Sequence, residues 1–517
     1  MKRTNYLKGL RVILAILFFV PILLYFVDFR GLAPDMFNKL LHIQIVPALI
    51  SGTIAIWIFQ FLLALLFGRI YCSVICPAGI LQDIINRIFC IGKKKKKGSS
   101  RFVYHKPHNI LRYGLMAVTF LLFIWGSSEL LLALDPYSNF GRIATNLFRP
   151  VAIWGNNLLA EILAKVDNYT LFHMSVQTVT TGAGIAAGLA LLVFIGMVLF
   201  RGRLFCNTLC PVGALLSLVS RYSLFRVVID KDKCIGCGLC EKTCKAEAIS
   251  TKEFHVDSSR CVDCFNCVSS CKKDSIHYRF APFNRKAKTK EVIEPAAHSR
   301  RQFLATGTIV ASSLPLMSIY ARRNRQRHGN GNTNPITPPG SHNLEQFKDK
   351  CTGCHICVAK CPSQVLYPAG MEFGFGYFLK PHMSYINSYC NYECTICADV
   401  CPNHALDLKG VEEKVTTQVG VAEFFINRCI VKTENTDCGA CSEHCPTQAV
   451  HMVPYKDTTL TIPQVEPQLC IGCGGCESIC PVRPKRAIIV KANTEHAYVE
   501  KPKEEEVLDI VIDDFGF

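Results

Sequence analysis

Of the 29 cysteines in this chain of 517 residues, 24 fall into six groups of four. The first two are Cys234, Cys237, Cys240, Cys244 and Cys261, Cys264, Cys267, Cys271. The others are Cys351, Cys354, Cys357, Cys361; Cys390, Cys394, Cys397, Cys401; Cys429, Cys438, Cys441, Cys445; and Cys470, Cys473, Cys476, Cys480. A CxxCxxC run followed after three residues by a fourth Cys is ferredoxin spacing: three thiolates wrap one cubane and the fourth reaches the cluster of a partner run. The first two groups start 27 residues apart, which predicts a two-cluster unit. In it Cys234, Cys237, Cys240 and Cys271 hold one cluster, and Cys261, Cys264, Cys267 and Cys244 the other. Structural zinc generally uses two CxxC pairs, and disulfides do not persist in a cytoplasmic domain. Lys245 and Lys272 stand where Pro is usual, but no ligand is lost. In the remaining groups Pro362, Pro402, Pro446 and Pro481 follow the last Cys. Group two opens by one residue between Cys390 and Cys394, and group three by more between Cys429 and Cys438, yet sixteen thiols remain. The chain is thus expected to carry six [4Fe-4S] clusters; in oxidising surroundings the last sixteen thiols could instead form disulfides.

Four more cysteines lie in an internal repeat. Gly68, Arg69, Cys72, Cys76, Pro77 and Gly79 match Gly202, Arg203, Cys206, Cys210, Pro211 and Gly213 at an offset of 134 residues. A structural turn accounts for the Pro and Gly but not for two cysteines per copy. Cys72, Cys76, Cys206 and Cys210 are therefore expected to meet in a redox or metal centre. Cys90 is left over.

The elements that position these residues follow from hydropathy and charge. Half the residues are apolar, 19% are charged and the mean hydropathy is +0.23, which excludes a disordered chain and points to a membrane. Apolar stretches at about 11–29, 43–67, 113–134 and 182–200 are long enough to cross a bilayer, which takes about 20 residues; one at about 303–320 is borderline. Between Arg69 and Ile110 nine Lys or Arg, including Lys93 to Lys97, face one acidic residue, Asp83. Positive-inside logic places this connection, the N-terminus and residues 201–302 in the cytoplasm. The net charge of +17 then reads as membrane topology and contact with anionic lipid, with no nucleic acid as partner. Ser299-Arg300-Arg301-Gln302-Phe303-Leu304 resembles a twin-arginine export signal, although a helix with chance arginines would look the same. The predicted class is an α-helical membrane domain, four-helix and pseudo-repeated with a fifth helix, joined to two α+β ferredoxin-like domains. The expected units are the four-helix domain (1–225), a cytoplasmic two-cluster domain (226–282) and the fifth segment (299–321). A linker (322–345), a periplasmic four-cluster domain (346–492) and an acidic tail (493–517) follow.

Four helices, the paired GRxxCxxxCPxG motifs and a following two-cluster ferredoxin resemble the NapH family of membrane quinol dehydrogenase subunits, related in this motif to NosR. From about residue 299 the chain resembles NapG, through Tyr389-Cys390-Asn391-Tyr392-Glu393-Cys394, Asp437-Cys438-Gly439-Ala440-Cys441 and Cys480-Pro481-Val482-Arg483-Pro484. The resemblance implies a NapH-NapG fusion in the cytoplasmic (inner) membrane that takes electrons from the quinone pool and passes them to a periplasmic cytochrome or reductase. It also implies, by likeness to four-cluster periplasmic subunits, that the first C-terminal motif pairs with the fourth and the second with the third. The competing functions are transfer from a cytoplasmic donor to quinone or the exterior, and a membrane regulator or metalloenzyme assembly factor. Glu129 and His42 are candidate quinone-site residues, set against the commoner reading of each as an interfacial side chain. The aromatic and Gly residues from Phe373 to Tyr389 read as cluster packing. The chain shows no CxxCH haem site and no specific nucleotide-binding motif.

Overall fold

A computed structural model describes residues 6–91, 102–175, 180–281, 334–456 and 458–500. The Lys93–Lys97 run, the twin-arginine-like segment, most of the linker and residues 501–517 lie outside the described residues. The N-terminal part is helical: α1 (Tyr6–Val27), α2 (Asn38–His42), α3 (Ile45–Ile50), α4 (Ile54–Phe67), α5 (Tyr71–Val74), α6 (Pro77–Ile91), α7 (Asn109–Ile124), α8 (Glu129–Leu134), α9 (Pro136–Ile143), α10 (Arg149–Ala164), α11 (Thr181–Arg201) and α12 (Pro211–Ser220).

Among the described residues two helices are long and apolar enough to cross a membrane, α1 with 22 residues and α11 with 21. The other two expected spans are interrupted. The stretch 43–67 turns at Gly52, whose φ is +72°, and α3 folds back along α4. Trp57 Nε1 donates to Ile45 O at 3.3 Å, and Gln60 Nε2 to Ile43 O at 3.2 Å. The stretch 113–134 leaves the helix at Trp125, turns at Gly126 and resumes as α8. Residues 136–164, between two of the expected spans, form α9, a π-turn and α10. Asp135 caps α9 by accepting from Tyr137 N and Ser138 N. Outward faces of α1, α4, α7, α10 and α11 expose Ile13, Leu17, Ile58, Leu62, Phe120, Leu121, Trp154, Leu158, Leu189 and Leu192. Apolar side chains exposed over so wide an area mark a surface that water does not normally cover.

The ferredoxin parts are small antiparallel pairs carrying short helices. In the first, β1 (Phe225–Ile229) pairs with β4 (Ile276–Phe280), and β2 (Ile249–Ser250) with β3 (His255–Val256). In the second, β5 (Leu366–Pro368) pairs with β6 (Pro381–Met383), β7 (Thr417–Phe424) with β10 (Ile488–Tyr498), and β8 (Val450–Pro454) with β9 (Thr461–Val465). β10 carries the domain to Tyr498, so the expected boundary at 492 falls too early. Thr337 and Ser341, expected in the linker, are buried in the domain.

The two ferredoxin parts pack on opposite ends of the helical part. At one end Leu224 N donates to Leu65 O, Arg203 N donates to Lys245 O, and Phe67 stacks on Phe225. At the other, Lys360 pairs with Asp28 at 2.6 Å, Asn146 Nδ2 donates to His355 Nδ1 at 2.9 Å, and Asn38 Nδ2 donates to Asp399 O at 2.7 Å. α11 links both ends: Ala183 packs near Leu379 and Gly202 lies against Lys245. At 1.5 Å per helical residue the separation is about 28 Å.

Candidate metal centres

The cysteine loops share a backbone signature. In four groups the residue after the second Cys is left-handed: Gly238, Phe265, His355 and Gly474, with φ of 68°, 58°, 64° and 81°. That turn starts a short helix carrying the third Cys. In the two groups with altered spacing the equivalent Thr395 and Gly439 have φ of −109° and −112°. Three residues after the fourth Cys, Glu247, Asp274, Gln364, His404 and Gln448 are also left-handed. The turn aims the next backbone N–H back at sulfur: Ala248 N to Cys244 Sγ at 3.4 Å, Ser275 N to Cys271 Sγ at 3.3 Å, and Ala449 N to Cys445 Sγ at 3.2 Å. Spacing alone does not disclose these donors.

In the first ferredoxin part Cys244 lies within electrostatic reach of Cys261, Cys264 and Cys267, while Cys240 lies near Cys234 and Cys237. In the second, Cys401 joins Cys351, Cys354 and Cys357, and Cys361 joins Cys390, Cys394 and Cys397. Cys480 joins Cys429, Cys438 and Cys441, and Cys445 joins Cys470, Cys473 and Cys476. The motifs therefore pair first with second and third with fourth, which corrects the expectation of first with fourth and second with third. Helix Ile356–Lys360 packs on Ile396–Asp399, and Ala440–Glu443 on Gly475–Ile479, so each fourth Cys reaches the facing helix. The quartets also form a line: Cys357 lies near Cys397, Cys473 near Cys390, and Cys476 near Cys441.

The donor sets fit an anionic cluster. All 28 described cysteines are free of disulfides. Cys429, Cys438, Cys441 and Cys480 line one small hollow, and Cys445, Cys470, Cys473 and Cys476 another. Burial pushes the thiols of Cys244, Cys351 and Cys390 up to about 11, so metal is what would draw off their protons. Buried cations stand ready for the resulting charge: Lys380 near Cys351, and Lys414 near Cys390, Cys394 and Cys397. Lys380 Nζ donates to Ser128 Oγ and Lys348 O, and Lys414 Nζ to Tyr392 O.

His42 and Glu129 both lie where the helical part meets the second ferredoxin part, but the structure brings neither into an apolar cavity. His42 faces His404, ring centroids 5.9 Å apart, and burial and that neighbour lower its pKa. Glu129 accepts from Ser127 Oγ near Lys380 and Lys348. The apolar cavity, about 480 Å³, lies elsewhere, lined by Ala48, Leu49, Trp57, Phe61, Leu62 and others. Of the aromatic stretch, Tyr385 is buried and donates to Gly472 O at 2.6 Å near Cys473 and Cys390, whereas Phe375 and Tyr389 are exposed.

Comparison with known proteins assigns the class. A 4Fe-4S binding domain family matches residues 52–98 and 183–231, each copy containing one CxxxCP motif. A second 4Fe-4S binding domain matches 227–250, and 4Fe-4S dicluster domains match 257–365 and 436–483. Ferredoxin-type protein NapF of Escherichia coli K12 is 28% identical over 29% of this chain and 82% of its own length. Ferredoxin-type protein NapG of the same strain is 27% identical over 35% of this chain and 81% of its own. The methylamine utilization ferredoxin-type protein MauN of Paracoccus denitrificans is 31% identical over 38% of this chain and 54% of its own. No solved structure matches the chain significantly. The protein is an iron-sulfur electron-transfer protein built on ferredoxin-type 4Fe-4S domains, with homologues among the Nap and Mau ferredoxin-type proteins.

Proposed function

We propose that the chain is a membrane quinol dehydrogenase of NapH-NapG type, a NapH-like membrane part fused to a NapG-like four-cluster part. In this reading the 24 grouped cysteines hold six [4Fe-4S] clusters, the first ferredoxin part faces the cytoplasm and the second the periplasm. The observation that carries it is the seat of the quartet Cys351, Cys354, Cys357, Cys401 directly on α9. Tyr137 lies in reach of Cys354 and Cys401, and Gly141 approaches Cys354 O so closely that a Cβ there would lie 2.3 Å from it. From that quartet the line of thiols leads away to Cys438 and Cys441, so electrons released at the helical part would leave toward a soluble acceptor. The α3–α4 cavity suits the isoprenoid chain of a quinone.

A second reading has one observation in its favour: Cys237 is exposed, which suits electron entry from a cytoplasmic donor. The test uses protein reconstituted in lipid and a menaquinol or ubiquinol analogue, with cluster reduction followed by EPR. Quinol reduction supports the dehydrogenase. Reduction by a flavodoxin or ferredoxin and by no quinol transfers the case to the second reading, and failure of both favours a regulator or assembly factor.

A further inference from the structure

Where the helical part meets the first ferredoxin part there is a polar crevice of about 30 Å³. Lys106 and His108 come to it from just before α7, Arg201 and Thr208 from the end of α11 and the turn after it, and Glu247 and Arg260 from the ferredoxin part. α7 packs against that turn, Phe205–Leu209, so both helices bring an end to one point. The crevice is a seam, with walls from two different units, and an occupant would hold both.

Positive charge at the seam exceeds what the protein itself neutralises. Glu247 is engaged by His105 at 2.9 Å. Behind the crevice Arg203 is spent on Asp83 and on Cys72 O, each at 2.7 Å; there the four buried CxxxCP cysteines gather, Cys76 in reach of Cys72 and Cys206, and Cys210 of all three. Arg260 gives Nε to Asp257 and Nη1 to His105 O. Its Nη2 is buried without a hydrogen-bond partner among the described residues, in a residue 5% exposed. Lys106 and Arg201 have no carboxylate at ion-pair distance among the described residues. A buried donor left without an acceptor is costly, and cations unneutralised at the mouth of a cleft draw an anion. The start of α7, a helix of 16 residues, adds to this, because its cap residue His108 makes no side-chain bond to the helix and the first backbone N–H groups stay open to an acceptor.

The surroundings of the crevice indicate the class of anion. Two residues after His108 stands Ile110, 93% exposed, and directly before Arg201 stands Phe200, 80% exposed; Leu111 and Leu199 are exposed beside them. A soluble anion makes no use of such neighbours, whereas a lipid carries its phosphate at one level and its acyl chains on the apolar side of it. A volume of about 30 Å³ admits about two waters, which is room for phosphate oxygens entering at the mouth and too little for a quinone ring. We propose that this seam binds one anionic phospholipid, its phosphate between Arg201, Lys106 and Arg260 Nη2 and its acyl chains along the exposed faces of α7 and α11. The guanidinium fork matches phosphate oxygens two at a time, and basic pockets at the cytoplasmic ends of membrane helices suit anionic headgroups. Bound there, the lipid ties the first ferredoxin part to the helical part. The inference rests on the membrane placement in the proposed function and not on its reaction.

The test takes the full chain, purified anaerobically in detergent with its clusters and stripped of lipid. It is titrated with dioleoyl phosphatidylglycerol, dioleoyl phosphatidylcholine or inorganic phosphate. Native mass spectrometry counts bound lipid, and hydrogen exchange is followed at residues 246–247 and 259–260. One phosphatidylglycerol is expected to stay bound, to slow exchange in both segments and to bind about tenfold or more tighter than phosphatidylcholine. Arg201→Gln with Lys106→Gln should weaken it by about tenfold or more. Arg87→Gln, which removes an exposed cation of α6 outside the crevice, should leave it unchanged. Equal binding of phosphatidylcholine, or an equal loss in Arg87→Gln, means unselective lipid around the helices and overturns the proposal. Inorganic phosphate that slows exchange as fully at the same concentration also overturns it, by making the ligand a soluble anion. If the double variant does not accumulate, the three ligands on wild type decide. Selective phosphatidylglycerol on a protein that no quinol reduces overturns the proposed function and leaves this site standing; reduction by quinol with no selective lipid does the reverse.

Discussion

Gly79 and Gly213 are where the thiol loops have no room to give. A methyl group at either would meet backbone oxygen at 2.2 or 2.1 Å, and backbone cannot step aside as a side-chain end can. Gly213→Ala is expected to destabilise the helical part by about 2 kcal/mol or more, seen as a lower thermal midpoint in detergent, whereas Gly114→Ala, with open space around it, should not. Acid sensitivity has its own residue, His496. Its ring nitrogen is held by the hydroxyls of Thr337 and Ser341 at 3.0 and 3.2 Å, and burial, with His342, lowers its pKa to about 4. The unfolded chain therefore takes a proton near pH 6.5 that the folded chain refuses until about 4. The stability tied to neutral His496 is complete above about pH 6.5 and lost as pH falls through that window, by up to about 3 kcal/mol. His496→Gln should flatten that part of the stability profile of the second ferredoxin part. An unchanged acid slope would remove the role.

The clearest joint between elements is Lys360 with Asp28, where the helix that carries Cys357 meets the end of α1. The ammonium lies 2.6 Å from the carboxylate and 4.0 Å from the Tyr25 ring centroid, with both side chains about 10% exposed. Removing one partner strands the other, so Asp28→Asn should weaken the docking of the second ferredoxin part by about 2 to 4 kcal/mol. Faster hydrogen exchange in helix Ile356–Lys360, with the cluster signals retained, is the expected reading; unchanged exchange would show that the pair holds nothing. The elements also show where sequence reading reaches its limit. The CxxCxxC runs were legible because their spacing sets three thiols on one turn and short helix. Motif pairing was not, because it depends on which short helices face each other, and nothing in the spacing of Cys361 or Cys480 says so. Hydropathy marked 43–67 as one span because Gly52 hardly lowers a window average, yet that residue turns the chain. Asn139, Arg142, Asn146 and Arg149 fall between the expected spans 113–134 and 182–200, yet all four are buried; Asn146 meets His355 and Arg149 lies near Cys361, so their polarity serves a domain contact.

At the scale of the whole molecule the governing fact is that the two ferredoxin parts sit at opposite ends of α11, about 28 Å apart, close to the thickness of a bilayer's hydrocarbon core of about 30 Å. Between them lies the belt of exposed Leu, Ile, Phe and Trp. Water would cover that belt at great cost and lipid at almost none, and in the proposed function the two ferredoxin parts lie on opposite faces of a membrane. The β2–β3 turn at Lys252 and the β8–β9 turn at Lys456 should therefore face opposite sides. A protease site inserted at each turn checks this in intact spheroplasts. Protease added outside should cut at Lys456 and spare Lys252, and inside-out vesicles should reverse the pattern. Cleavage of both sites from one side would mean that both ferredoxin parts share a compartment. The helical part could not then separate a quinol-oxidising face from a cytoplasmic one, and the line of quartets from Cys351 to Cys441 would serve a partner on the same side as Cys237.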